Sequence, residues 1–337
     1  MLLVLCLIHL NIKCILHCNF FRNYTAGNFF LLIDAKKGLL LMPLFGETAA
    51  LITAFFWSIT SIAFTEASKR VGPFYVNVTR MAMALVFLII TFLLFNVKIN
   101  LSVSQILNLG VSGFIGLVIG DTFLFKAYRS IGARVSMLIM SLVPPMSAFL
   151  AYFFLDEKLS LLGFLGIIIT MSGIAIVVFK REEKPTSNYR IDYHGIFYAV
   201  IGAAGQAVGL IFAKFALNEG EVNGFLAGFV RILSAFIIFY PLALMTSRFK
   251  KPIHVFNNDR KALMFTLIGS IFGPFLGITF SMISITYAKI GIASTLMSTM
   301  PIIMLPMVRF YYKEELTWIS IMGAFVAVAG VAVLFLH

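Results

Sequence analysis

The sequence predicts an all-α polytopic membrane protein with ten transmembrane helices in two inverted five-helix repeats. Three observations carry that prediction. The 337 residues are 61% hydrophobic and only 12% charged, with a mean hydropathy of +1.00. A soluble domain carries about 25% charged residues, so this chain lacks the polar material to coat a surface facing water. From Glu47 onward, ten apolar runs each approach the ~20 residues that a helix needs to cross a bilayer core of about 30 Å. The second half also repeats the first at a fixed offset of 157 residues.

The expected spans are 48–66, 73–95, 105–125, 134–155, 160–179, 194–216, 224–245, 262–286, 291–311 and 316–336. Their connections are short and leave no room for a separate soluble domain. Residues 1–46 read as an N-terminal tail, with Met42 the expected translation start and residues 1–41 either disordered or not part of the translated protein. The two repeats are expected at 47–180 and 193–337.

The repeat shows in residues that apolar composition alone would not align. Shifted by 157 positions, Gly116 meets Gly273, Gly120 meets Gly277, Thr122 meets Thr279, Met140 meets Met297 and Ser141 meets Ser298. Pro144 likewise meets Pro301, Glu157 meets Glu314, Gly166 meets Gly323 and Gly173 meets Gly330. Earlier spans align at a slightly different offset that pairs Arg80 with Arg231, and Trp57 and Gln206 fall at roughly equivalent places. Five spans is an odd number, so the second repeat enters the membrane from the opposite side, as in many secondary transporters.

Charge patterning sets an orientation. Loops after odd-numbered spans hold most of the Lys and Arg, including Lys69, Arg70, Lys126, Arg129, Lys180, Arg181, Arg248, Lys250 and Lys251. Even-numbered loops hold only Lys98, Lys158 and Lys289. The positive-inside rule then places the odd loops in the cytoplasm and both termini outside. The net charge of +12 is therefore no sign of nucleic-acid binding, and no long basic tract is present.

Several residues stand out inside the spans. Gly116/Gly120 and Gly273/Gly277 form paired GxxxG motifs, with Ser112 and Gly269 one turn earlier. Such strips let a helix backbone approach closely. A contact between spans 3 and 8, or with their neighbours, is expected, with tight packing the simpler reading over ligand contact. Arg80 and Arg231 lie seven residues into spans 2 and 7, where a charge either faces a cavity or snorkels to the interface. Asp121 has no acidic counterpart, since Ile278 takes its place. It could bind a proton, pair with Arg80 or meet a cationic group. It could equally be an end-of-span acid beside Lys126 or Arg129. Trp57 and Gln206 lie near mid-membrane, and a buried Gln needs partners. Met140, Ser141, Met297 and Ser298 offer an adaptable surface with modest polar contacts. Pro144 and Pro301 are expected to kink spans 4 and 9. Asp156-Glu157-Lys158 and Lys313-Glu314-Glu315 read as membrane-surface turns.

Catalytic and metal constellations are not found. Cys6, Cys14 and Cys18 all lie in the tail, and His194 and His254 are expected in loops. No phosphate loop, nucleophile elbow or zinc-ligand spacing appears in the core, so no metal or cofactor is expected and the chain does not read as an enzyme.

The segment GDTFLFKAYRSIGARVSMLIMSLVPPMSAFLAYFFLDEKLS, residues 120–160, resembles EamA-type proteins of the drug/metabolite transporter superfamily. The shared pattern is a glycine-rich span, a Gly-Ala turn at Gly132-Ala133, a Ser/Pro helix and a Glu-x-Leu-Ser ending. Asp156 departs from the usual glycine, and the second-half counterpart of Gly132-Ala133 reads Lys289-Ile290 or Gly291-Ile292. The resemblance covers about 47–337. It implies a ten-helix transporter with a central cavity lined by spans 1–4 and 6–9 and with spans 5 and 10 peripheral. Relatives move amino acids, nucleotide-like compounds, other metabolites or drugs, often outward. The partners so implied are a small-molecule solute and the lipid bilayer of the cell membrane; a homodimer stays open. A channel or a non-transporting scaffold is the alternative, though a channel should carry a polar ring that is not evident here.

Overall fold

The computed structural model describes residues 44–95, 100–155, 160–179, 192–220, 222, 224–245, 252–287 and 290–335. Of the tail expected at 1–46, residues 1–43 lie outside the described residues, as do the Asp156-Glu157-Lys158 turn and Lys289, while Phe45 and Gly46 already belong to the first helix. Contacts separate Met1–Pro43 with Ile90–Lys98 from a main unit of Leu44–Ile89 and Ile99–His337. Of the smaller unit, only the helical stretch 90–95 is described. All that follows concerns the main unit.

The first repeat runs α1 (Phe45–Val71), α2 (Pro73–Phe95), α3 (Val103–Gly113), a π-helix (Phe114–Gly120), α4 (Asp121–Met140), α5 (Val143–Phe154) and α6 (Leu161–Phe179). The second runs α7 (Tyr193–Asn218), α8 (Gly224–Met245), the short α9 (Pro252–Asn258), α10 (Arg260–Ser270), a second π-helix (Ile271–Gly277), α11 (Ile278–Tyr287), α12 (Ile290–Met297), α13 (Met300–Tyr311) and α14 (Trp318–Phe335). Among the described residues, nine helical stretches are long and apolar enough to cross a membrane. One of these, Val103–Met140, contains a sharp break at Gly132 (φ 77°, ψ 170°), and α5 is a shorter apolar helix beyond it. That backbone conformation is open essentially to glycine alone. Gly132 therefore turns the chain where the Gly-Ala turn was expected.

The 157-residue offset reappears in the backbone. The π-helices at 114–120 and 271–277 match residue for residue. The breaks between α4 and α5 and between α12 and α13 fall at Ser141-Leu142 and Ser298-Thr299. The amides of Ser141 and Leu142 bond to Leu138 and Ile139, three residues back, and Thr299 does the same to Leu296. The chain thus tightens before each break. Pro144 and Pro301 follow at once, in the first turn of α5 and α13. Their missing N–H groups cost nothing there, because first-turn amides have no partner within the helix. The prolines thus begin helices, where a mid-helix kink was expected.

Helix pairing follows from small residues. α6 and α14 run antiparallel in close contact. A Cβ on Gly166 would sit 2.7 Å from the Gly330 carbonyl oxygen, and one on Gly173 would sit 2.8 Å from that of Gly323. With no hydrophobic drive inside lipid, such backbone proximity is what joins transmembrane helices. α7 packs along α3, the first π-helix and α4, while α1 packs along α10, the second π-helix and α11. Each GxxxG strip therefore meets the first helix of the other repeat. Gly120 lies against Gly205 and Gly116 against Gly209; Gly273 meets Thr60 and Gly277 meets Trp57. Of the two expected contacts, between the strips or with neighbouring spans, the structure shows the second, with α7 and α1 in the grooves.

Two apolar clusters fill the interior. One gathers Phe64, Phe125, Tyr128, Met137, Met304 and Val308, with Met140 packed against it. The other joins Ile131, Leu138, Ile174, Val177, Leu305 and Ala327. At the end of α13, Lys313 takes a left-handed turn (φ 56°). Glu314 is buried there, 3.0 Å from Arg134 of α4. What reads as a surface turn in the sequence thus carries a buried ion pair.

Candidate functional site

One group of buried polar residues gathers on the first π-helix. Its widened turn leaves carbonyls for side chains to satisfy, and such π segments recur at functional sites. Asn77 of α2, fully buried, donates to the Leu117 carbonyl at 3.1 Å and to the Thr122 hydroxyl at 2.9 Å. One turn on, Arg80 donates from Nε to Asn77 Oδ1 at 2.9 Å and from Nη2 to Asp121 Oδ2. The Arg80 guanidinium lies beside the packed Phe64 and Phe125 rings, 5.7 and 5.1 Å from their centroids. Both Arg80 and Asp121 are only 6% exposed. Gln206 of α7 closes the group, donating to Asp121 Oδ1 at 2.6 Å and to the Gly116 carbonyl at 3.2 Å.

Arg231 of α8 reaches the same π-helix. Its Nη2 would touch a Cβ on Gly116 at 3.3 Å, beside Gln206 Oε1 at 3.4 Å. The Arg231 backbone carbonyl presses on Gly113, where a Cβ would lie 2.1 Å from it. α3 and α8 meet here only because position 113 has no side chain.

The structure thus brings Arg80, Asp121, Gln206 and Arg231 together around Gly116 and Gly120. It pairs Asp121 inward with Arg80, and the end-of-span arrangement with Lys126 or Arg129 is not formed. Lys126 lies instead over the Phe123 ring, 4.6 Å from its centroid. Trp57 occupies the place in the second groove that Gln206 holds in the first, its indole nitrogen against Gly277. Ser141 is buried and Met140 joins the Phe64–Phe125 cluster. Ser298 bonds its own helix at Ser294, and Met297 ends α12 beside it. These four mark the two chain breaks. Among the described residues, no hydrogen bond or ion pair ties them to the arginine–aspartate group. His194 and His254 lie in helices α7 and α9, not in loops.

Asn77 is the member that sequence reasoning missed. A lone Asn one helical turn before a buried Arg, inside an apolar run, was the available signal.

The two ends of the helix bundle are tied differently. At one end, the Arg70 guanidinium lies 3.4 Å from Asp259. Glu66 accepts from the Tyr312 hydroxyl at 2.9 Å and pairs with Lys69 at 2.9 Å. At the other, Glu219 accepts from the Ser102 hydroxyl at 3.2 Å and from Asn108 at 3.3 Å. Ser102 and Asp259 are 157 residues apart and both cap a helix. Asp259 holds the Ala262 amide at 2.9 Å. That bond first, and then Arg70, keep its carboxyl below the ordinary carboxylate value.

A chain whose described residues hold nine membrane-length helical stretches and a duplicated helix–π-helix–helix unit is a multi-pass integral membrane protein. The model of the EamA-like transporter family matches residues 44–179 and 193–336, and the chain belongs to that family. It is accordingly a membrane transporter of the drug/metabolite transporter superfamily. A solved structure described as "Crystal structure of protein" is similar to it at 17% identity and a TM-score of 0.58, over 86% of this chain and 97% of that one. That likeness shows the fold alone. No curated protein matches the chain.

Proposed function

We propose that this protein is a secondary transporter that moves a small organic solute outward across the cell membrane by alternating access. In this reading the Gly132 break divides Val103–Met140, so that the chain crosses ten times as two inverted repeats. The odd-numbered loops, with Arg70 and Asp259, face the cytoplasm. The solute site lies between the repeats, beside Arg80, Asp121, Gln206, Arg231 and Trp57.

One observation carries the reading. A buried group of charged and amide side chains sits on a π-helix that α2, α7 and α8 reach from both repeats. Intramembrane charges facing a bundle interior mark transport paths by default, and helices broken at matching places in two repeats are the usual frame for such sites. The ties at the two ends supply contacts that would have to break in turn as each side opens.

The test is a comparison of metabolite accumulation in cells with and without the protein, followed by reconstitution of the solutes that change. Saturable, counterflow-stimulated uptake into proteoliposomes is the expected result. Flux that rises linearly with concentration would instead indicate a channel, and no flux a scaffold.

A further inference from the structure

Arg80 and Arg231 hold matching positions in the two repeats but keep different company. Arg80 has an ion pair with Asp121, a hydrogen bond to Asn77 and two aromatic rings beside it. The offset that pairs Arg80 with Arg231 also pairs Asn77 with Gly228, and the 157-residue offset pairs Asp121 with Ile278. Both polar partners are thus replaced together. The replacements fill each other's space, since the Ile278 Cγ2 lies 3.2 Å from where a Cβ on Gly228 would be.

Arg231 keeps the charge but has only a share in the Asp121 carboxylate, which Arg80 already engages. Its Nε is buried and has no hydrogen-bond partner, and it forms no ion pair with the described residues. The group contains two guanidinium charges and one carboxylate, so one positive charge is uncompensated. A charge inside a helix bundle without a counter-charge of its own is costly and by default marks a functional site. Gln206 adds an acceptor: its Nε2 is committed to Gly116 and Asp121, while Oε1 points to the same glycine-bared patch as Arg231 Nη2.

We propose that Arg231 is the binding group for a monoanionic organic solute, taken up by its carboxylate, with Gln206 Oε1 accepting from a donor on the same molecule. The proposal rests on the transporter reading above. One excess charge matches a carboxylate and would leave a phosphate dianion over-charged. The planar fork of arginine meets a carboxylate through two parallel hydrogen bonds. Asp121 is occupied on both oxygens and is unsuited to capture an ammonium group.

The test is equilibrium dialysis of the purified full-length protein in detergent against labelled acetate, hexanoate and benzoate, each beside the amine and the alcohol of the same skeleton. At least one carboxylate should bind saturably, with its amine and alcohol weaker by about tenfold or more. Arg231→Gln should abolish that preference. Arg231→Lys, which keeps the charge and loses the fork, should retain part of it. Variants are compared at matched gel-filtration profiles and thermal midpoints. Absence of carboxylate binding, equal binding of all three head groups, or an unchanged preference in Arg231→Gln would overturn the proposal. Counterflow is read separately. Carboxylate binding without saturable flux overturns the carrier and leaves the site. Saturable flux of a neutral or cationic skeleton, indifferent to Arg231→Gln, overturns the site and leaves the carrier.

Discussion

Asp121 and Arg80 are the two partners of an ion pair buried inside the helix bundle. Removing one partner of a buried pair leaves the other uncompensated, at a cost of about 3–5 kcal/mol. Asp121→Asn should therefore lower the thermal midpoint in detergent well beyond an ordinary polar swap. Adding Arg80→Gln should recover much of the loss, giving a strongly non-additive double-mutant cycle. Additive losses would show that the pair is not the source of stability. Asp259 makes the contrasting case at the membrane edge. Its carboxyl is held below the ordinary value of 3.8, chiefly by the Ala262 amide and further by Arg70. A lowered folded-state value stabilises fully above the unfolded value and is lost as pH falls through the folded one. Asp259→Ala should thus lower the midpoint by a constant amount between about pH 5 and 8, and the gap should close below about pH 4. Asp259→Asn, still able to cap α10, should lose less. At this scale the sequence named Arg80, Asp121, Gln206 and Arg231, because charged or amide residues in apolar runs are conspicuous. It left Asp121's partner open, because two basic residues near it in sequence competed with one on another helix.

Helices and their breaks were legible to unequal degrees. The 157-residue shift marked which segments correspond, and Gly132-Ala133 marked a turn. The π-helices were not legible: their signature is a change in hydrogen-bond register, while the hydrophobic pattern of FIGLVIG reads as ordinary helix. The prolines were read as kinks because one residue's position relative to a helix start cannot be told from an uninterrupted apolar run. Gly132 offers the sharpest test of an element. Its φ of 77° with ψ of 170° is strained for any side chain, by about 1–3 kcal/mol. Gly132→Ala should lower the thermal midpoint accordingly and shift the proteolysis pattern around residues 129–134. An unchanged midpoint would mean that the chain can turn there without glycine.

The molecule as a whole is held by contacts between repeats more than within them: α7 in the groove of α3 and α4, α1 in that of α10 and α11, and α6 against α14. A chain cut between residues 180 and 191 should therefore reassemble. The two co-expressed halves should co-purify, and Gly173→Leu should prevent it by forcing a side chain into the Ala327 backbone, 2.4 Å from its Cβ. Independent purification of unmodified halves would refute that picture. Duplication was plain in the sequence, since shared glycines and prolines at one offset are hard to obtain by chance in so apolar a chain. Which helix of one repeat enters which groove of the other was not, because small residues mark a close approach without naming its partner.

The contact between α6 and α14 is one contact seen twice. Gly166 meets Gly330 and Gly173 meets Gly323, and a shift of 157 residues turns the first pair into the second. A single five-helix unit with this surface would bind an upside-down copy of itself. Two identical subunits, however, must carry either two copies of Asp121 or none. Joining them in one polypeptide is what lets the chain keep Arg80 and Arg231 on both sides while placing an acid on only one. Linkage frees the two halves to diverge in charge, and the lopsided centre of this protein is a property that no homodimer of its repeat could have.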